Sequence, residues 1–202
     1  KPKEAKVKVT IEQGEKDIKN VLQEYITDHG QDIYSVPLFT KEFCTTMLDE
    51  IENMQKHFNF SSNEDEDILR QIPEIVLQEK CPELFNSMLG VVLNVMNPIF
   101  MSIWQRYCST AATIQIANYN VKDKKQGAWH HDQTADISMV VPLNTGDYKG
   151  GGTEFHGRTT IKPLPNGHAL FFPSFTHMHR GLPVKDNRDR YLLVFWLYGG
   201  KD

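Results

Sequence analysis

Residues 190–198 read Arg-Tyr-Leu-Leu-Val-Phe-Trp-Leu-Tyr, and both alternating sets of this run are apolar: Leu192, Val194 and Trp196 on one side, Leu193, Phe195 and Leu197 on the other. Side chains of a β-strand alternate between faces, so such a strand buries both and its sheet must be covered. Upstream, from residue 111, the apolar period is that of strands, punctuated by Gly, Pro, Asn and Asp. Strands are expected near 113–119, 129–132, 137–143, 153–156, 160–163, 168–172, 178–184 and 190–198. A succession of short strands of this kind suggests a jelly roll.

The first half of the chain supplies the cover. Thr40 is placed to cap a helix whose apolar face is Phe43, Met47, Leu48, Ile51 and Met54. A second helical run, Pro82 to Trp104, is dense in Leu, Val, Met and Phe; it is expected to be largely buried, with Pro98 kinking or splitting it. Before these, the alternating Val7, Val9 and Ile11 read as a short edge strand, Glu15 to Thr27 as a helix closed by Gly30, and Ile33 to Phe39 as a strand. The fold class that follows is mainly β with N-terminal helices, a double-stranded β-helix (jelly roll) backed by helices. Residues 1–31 then form an N-terminal extension, and 32–202 one domain with helical support at 32–110 and a jelly-roll core at 111–198.

Composition narrows the function. Among 202 residues, 40% are hydrophobic and 24% charged, the balance of a globular domain. A net charge of −4, with no Lys/Arg stripe interleaved with aromatics, argues against a nucleic-acid partner. The longest apolar run, around Met88 to Met101, is interrupted by Asn94, Asn97 and Pro98, so no transmembrane segment is expected and the domain reads as soluble. Cys44, Cys81 and Cys108 are widely spaced with no CxxC, which suggests neither a zinc site nor a disulfide framework. Residues 61–67, Ser-Ser-Asn-Glu-Asp-Glu-Asp, read as a solvated loop, lacking the glycine and final Glu of a calcium-binding EF-hand loop. The start at Lys1, without Met, suggests a domain cut from something longer.

His130 and Asp132 are two apart in a segment read as extended, so both project to one side and His131 to the other. A third ligand from another strand completes two histidines and a carboxylate, the facial triad that leaves positions open on non-haem iron(II). His177 and His179 are both candidates. If residues 178–184 and 190–198 form a hairpin turning at 185–188, Arg190 lies opposite Pro183, about four residues or ~13 Å along the sheet from His179. A guanidinium and a five-carbon diacid span that gap, the diacid chelating the metal at one end and taking a bidentate salt bridge at the other. Tyr119, ending the strand before His130, is placed to add a hydrogen bond to the same co-substrate. Gly150 to Gly152 supply a sharp turn; without the Lys-Ser/Thr of a P-loop they are no phosphate cradle. His29, His57, His156 and His168 read as ordinary histidines. Phe171, Phe172 and Trp196 read as core, with a dry shell around the metal as the alternative, and Trp129 as core or as a wall of the site.

These motifs resemble a known family. His130-His131-Asp132, Gly150 to Phe155, His177 to Pro183 and Arg190-Tyr191, with Asp32-Ile33-Tyr34, Pro37-Leu38, Cys44 and Glu50-Ile51-Glu52 upstream, are similar to the catalytic domain of procollagen lysyl hydroxylases, and more loosely to prolyl hydroxylases. The resemblance covers roughly residues 32 to 198. It implies a dioxygenase that binds Fe(2+) and 2-oxoglutarate, uses O2 with L-ascorbate as supporting reductant, hydroxylates peptidyl lysine in a peptide or protein substrate, and releases succinate and CO2. It implies His130, Asp132 and His179 as metal ligands, choosing His179 over His177, and Arg190 on the 2-oxoglutarate carboxylate. It also implies a homodimer and the endoplasmic reticulum; nothing inside these residues names a compartment, and the cytoplasm is the alternative. The loop from His179 to Arg190 is about a residue longer than the family's, which leaves Arg188 as a substitute for Arg190. No acidic pocket for a lysine ammonium can be named from the sequence. The competing readings are a peptidyl prolyl hydroxylase, a non-enzymatic cupin-like metal-binding module, and a zinc hydrolase, against which the lack of HExxH counts.

Overall fold

The computed structural model describes residues 24–61, 72–122 and 126–199. The strand expected at 7–11, most of the helix at 15–27 and most of the acidic run lie outside them. Glu24 and Tyr25 are helical, but Thr27 already begins β1 (Thr27–Asp28), which pairs with β2 (Tyr34–Pro37).

The helix from Lys41 to Gln55 (α1) starts where its cap predicts. Thr40 is extended, and its hydroxyl accepts from Phe43 N at 3.2 Å, satisfying one donor the helix cannot. Cys44, Met47, Ile51 and Met54 form the buried face. After the edge strand β3 (Glu74–Val76) and the single turn α2 (Leu77–Lys80), the long helical run comprises α3 (Pro82–Val91), a π-helical turn (Val92–Met96) and α4 (Asn97–Trp104). Pro98 neither splits nor ends it. Proline cannot donate to the carbonyl four residues back and its ring crowds that carbonyl. The turn before it widens instead, with Asn97 N–H reaching Val92 O, five residues back. The expectation of a largely buried helix is corrected: Met88, Val92, Met96, Ile99 and Phe100 are buried, whereas Val95 is 48% and Met101 45% exposed. Nor do Asn94, Asn97 and Pro98 interrupt the run. At 23 residues, Pro82–Trp104 is long and apolar enough to cross a membrane by length and composition, with one face packed on the sheet as in a core helix.

The sheets are two. The larger has seven strands in the order β1-β2-β8-β5-β10-β4-β3, where β4 is Thr110–Tyr119, β5 Ile137–Pro142, β8 His168–Pro173 and β10 Arg190–Tyr198; the smaller is β7-β6-β9, with β6 Thr153–Phe155, β7 Thr160–Ile161 and β9 His179–Gly181. β10 occupies the place its two apolar faces require, between β4 and β5. Its outward set, Leu193, Phe195 and Leu197, joins Ile114, Ile116, Met139, Val141 and Phe171 in the core beneath α1 and the long helical run. Burying each such side chain contributes about 2 kcal/mol. The inward set turns into the barrel.

The expected hairpin between 178–184 and 190–198 does not form. β9 pairs with β6 in the small sheet, and β10 pairs with β4 and β5 in the large one. A strand apolar on both faces is most stable between two long neighbours, so chain proximity loses to burial. β3 was not expected at all. It extends the large sheet through Glu74↔Ala117 and Val76↔Gln115.

One glycine ties the helical half to the sheet. Gly167 is left-handed (φ +80), a Cβ there would lie 2.1 Å from Phe39 O, and its carbonyl accepts from Leu38 N and Phe39 N. Gly167→Ala is expected to lower unfolding free energy by at least about 2 kcal/mol, read by urea denaturation, because strain and clash fall on backbone that cannot retreat.

Candidate metal centre and its cavity

Trp129 to Asp132, expected as a strand, is not one. A single reciprocal bridge replaces it: His130 N donates to His179 O at 3.0 Å and His179 N to His130 O at 2.9 Å, after which the chain turns, with Ala135 N on Asp132 O at 3.3 Å. One directly opposed pair suffices to set two side chains side by side. The His130 and His179 rings are 4.4 Å apart, and Asp132, two residues on, joins them. One ligand atom from each of His130, Asp132 and His179 lies within 4.8 Å of the other two. Asp132 is 4% and His179 6% exposed.

Protonation follows from the partners. His130 Nδ1 faces Ala128 O at 2.8 Å and His179 Nδ1 faces His177 O at 2.9 Å; a carbonyl only accepts, so both Nδ1 atoms carry the proton. Nε2 of each ring is thereby left as a lone pair turned to Asp132, at 3.3 Å from Oδ1 for His130 and 3.7 Å from Oδ2 for His179. Burial pushes the His179 imidazole down to about 4 against the pull of Asp132, so it is neutral at pH 7. Burial raises the Asp132 carboxyl, but His179, His130 and a hydrogen bond from Ser138 outweigh it and hold the group below the usual carboxylate range. Three groups able to donate an electron pair thus converge, and Asp132 Oδ1 is buried without a hydrogen bond that satisfies it among the described residues. Such a corner calls for a cation.

His177 is excluded from the cluster by its own bonds. Its Nε2 donates to Gln31 O at 2.7 Å, on a turn where Gln31 and Asp32 are left-handed (φ 56 and 62), and its Nδ1 meets the Thr176 hydroxyl at 2.9 Å. It precedes β9 rather than sharing its face with His179. His131, expected to point away, lines the cavity instead, since no strand there enforces alternation.

The cluster opens on a cavity of ≈ 320 Å³ inside the barrel, lined also by Tyr119, Thr153, Arg190, Leu192, Val194 and Trp196. Arg190, 3% exposed, stands opposite Tyr119 across β10 and β4, its guanidinium carbon 5.0 Å from the Tyr119 ring centre. Its other contacts are long bonds to backbone carbonyls, Leu182 O at 3.4 Å and Gly152 O at 3.2 Å, and its Nε is buried without a partner. The glycine turn gives it room. Gly151 is left-handed (φ +75), and a Cβ there would fall 3.2 Å from Arg190 Nε. Arg188 points elsewhere, exposed and bonded to Asp147 O at 2.7 Å. Burial pushes the Tyr119 phenol up despite Arg190, so it stays a donor at neutral pH.

Comparison with known proteins now decides the class. Residues 114–198 match the 2OG-Fe(II) oxygenase superfamily. The chain carries a 2OG-Fe(II) oxygenase domain. The oxygenase domain is homologous to procollagen lysyl hydroxylases: human procollagen-lysine,2-oxoglutarate 5-dioxygenase 2 is 24% identical over 191 residues, covering 90% of this chain and 26% of the relative. The chain therefore spans about a quarter of the length of such relatives. In fold it is similar to a viral collagen prolyl hydroxylase from Paramecium Bursaria Chlorella virus-1 solved with 2OG (TM-score 0.59, 18% identity, 85% of this chain and 98% of that one). It is also similar to a prolyl hydroxylase from Trichoplax adhaerens in complex with a peptide fragment of hypoxia inducible factor (TM-score 0.59, 13% identity, 83% of each chain). These neighbours share the jelly-roll fold.

Parts of the oxygenase domain escaped the sequence reading. Ser138 bonds Asp132 Oδ2 and Ser174 Oγ, the latter at 2.8 Å, and so orients the carboxylate. Its signal was a buried serine on the inward set of β5, between Ile137 and Met139. Glu74 and Gln115 line the cavity; with β3 unread, nothing pointed to Glu74. Phe171 is core, whereas Phe172 packs edge-on against His179 at 4.7 Å and Trp196 lines the cavity. Trp129 is half-buried outside the core, under the Arg180 guanidinium at 4.4 Å.

Proposed function

We infer that the domain is an iron(II)- and 2-oxoglutarate-dependent dioxygenase that hydroxylates a peptidyl side chain, lysine first and proline as the alternative, with release of succinate and CO2. The observation that carries this reading is a three-donor cluster, His130, Asp132 and His179, sharing one cavity with a buried guanidinium that has only carbonyl partners among the described residues.

The residues present fit the implied groups. The buried Asp132 Oδ1 and Arg190 Nε, both without a satisfying hydrogen bond among the described residues, await a cation and an anion respectively. His130, Asp132 and His179 would hold the iron, and Arg190 the far carboxylate of 2-oxoglutarate through its planar fork. Bound together, iron(II) and 2-oxoglutarate supply the chemistry that couples oxidative decarboxylation to C–H hydroxylation. The chain's own share is orientation and exclusion. Carbonyls of Ala128 and His177 fix the imidazole tautomers, Ser138 holds the carboxylate, Tyr119 offers a protonated phenol beside Arg190, and Phe172, Leu192 and Val194 keep the interior dry. L-Ascorbate as reductant, a homodimer and an endoplasmic-reticulum setting belong to the same reading, supported by the likeness to procollagen lysyl hydroxylases.

The test is uncoupled turnover. With iron(II), O2 and 2-oxoglutarate but no peptide, succinate is expected; a cupin-like binding module or a zinc hydrolase makes none. Arg190 favours the oxygenase over both, because neither alternative needs a buried cation facing the metal corner.

A further inference from the structure

The segment that brings His130 to the metal centre is irregular. A regular antiparallel ladder built on the His130–His179 pair would set Ala128 against Gly181. Instead Gly127 N donates to Gly181 O at 3.1 Å, so the three steps from 127 to 130 face the two from 181 to 179, and the segment carries one residue more than β9. A bulge of this kind disrupts the ladder, and side-chain packing must then fix where its residues point. The outer face of the small sheet supplies that packing. Trp129, outside the cavity, lies under the Arg180 guanidinium at 4.4 Å, and the His156 imidazole meets it from the other element at 5.1 Å and 87°. Tryptophan is the ring that holds a cation best. Arg180 is aimed in turn by Glu154, directly opposite it on β6: Nε donates to Glu154 Oε2 at 2.8 Å, and Nη2 lies 2.7 Å from the same oxygen.

We propose that Arg180, Trp129 and His156 form a clamp on the bulged segment, in which Trp129 and Arg180 are positioning residues for the metal ligand His130. The proposal rests on the oxygenase reading and adds the residues that keep its ligands in register. Trp129 adjoins His130 in the chain, and Arg180 adjoins His179 on β9. The outer contact between Trp129 and Arg180 and the inner contact between His130 and His179 therefore lock the same two backbones from opposite sides. Released from Arg180, the extra residue is free to migrate along the bulge, which would carry the His130 Nε2 away from its place 3.3 Å from Asp132. Coulomb's law alone predicts the opposite outcome for Arg180, since taking a positive charge away from a cation site tightens metal binding.

The test measures iron(II) affinity by calorimetry under nitrogen for the parent, Arg180→Met, Trp129→Leu, the double variant and Arg180→Lys. Thermal unfolding without metal and succinate formation in air are measured alongside. Each of the first two variants is expected to weaken iron(II) binding about tenfold, the scale on which a metal site responds to loss of the groups that orient its ligands. The double variant is expected to lie within about threefold of the weaker single one, because a clamp opened at one end is already open. Arg180→Lys, which keeps a cation for the ring, is expected to stay within about threefold of the parent. The metal-free unfolding midpoint of Arg180→Met is expected to fall by no more than about 4 °C, in keeping with a contact partly in water. Iron(II) binding by Arg180→Met that is tighter than the parent's or within about threefold of it, losses that multiply in the double variant, a lysine variant as weak as the methionine one, or a larger fall in midpoint overturns the clamp. The failures separate: a parent that binds iron(II) and forms succinate, with Arg180→Met unmoved, sinks the clamp alone, whereas a parent that does neither sinks the oxygenase reading and the clamp with it.

Discussion

Asp132→Ala is expected to abolish metal-dependent turnover while leaving the fold intact. Loss of a residue that merely orients a metal ligand costs up to about 100-fold, so loss of a ligand carboxylate should cost more than that. Stability should not follow activity. Removing one partner of a buried ion pair is costly when it strands a charge. Here the imidazole left behind is neutral, with His179 held down to about 4 by burial, and Ser138 keeps its bond to Ser174. The measurements are succinate formation, iron(II) titration by calorimetry, and thermal unfolding without metal. Retention of more than a tenth of the turnover would remove Asp132 from the metal site.

Arg190→Ala carries the second large effect. Its fork has no carboxylate in salt-bridge reach among the described residues, only carbonyls at 3.2 and 3.4 Å. A charge-assisted contact to the co-substrate is worth about 1.5–3 kcal/mol, so KM for 2-oxoglutarate should rise roughly 10- to 100-fold, with a smaller change in kcat. Arg190→Lys, which keeps the charge and loses the fork, should fall between. Without co-substrate the alanine variant should unfold no more easily than the parent, because a buried charge without a counter-charge has been removed. Arg188→Ala serves as the control. That side chain is exposed on Asp147 O, and unchanged 2-oxoglutarate kinetics are expected; the reverse pattern would show that the loop delivers the other arginine to the co-substrate.

Much of this was legible along the chain. The double apolar set of residues 190–198 located a strand buried on both faces, and its bounds match β10. Thr40 marked the start of α1, and the two-residue spacing of His130 and Asp132 placed both on one side even though no strand is there. Pro98 marked an irregularity, but propensity alone could not say that the helix would widen rather than break, since packing against the sheet holds it continuous.

The sequence by itself determined the local chemistry: which segments alternate, where a helix is capped, and which side chains can hold a metal or a diacid. These depend on neighbours a few residues apart, where backbone geometry fixes direction. Only the tertiary structure decided pairings. It put β9 beside β6 rather than β10, engaged His177 with Gln31 O and so gave a physical reason for the preference for His179 that the family resemblance implied, and brought Glu74 alongside Gln115 on the cavity wall. Which strands meet is settled by closing a barrel over a shared core, a sum over contacts between segments far apart in the chain that no local period encodes.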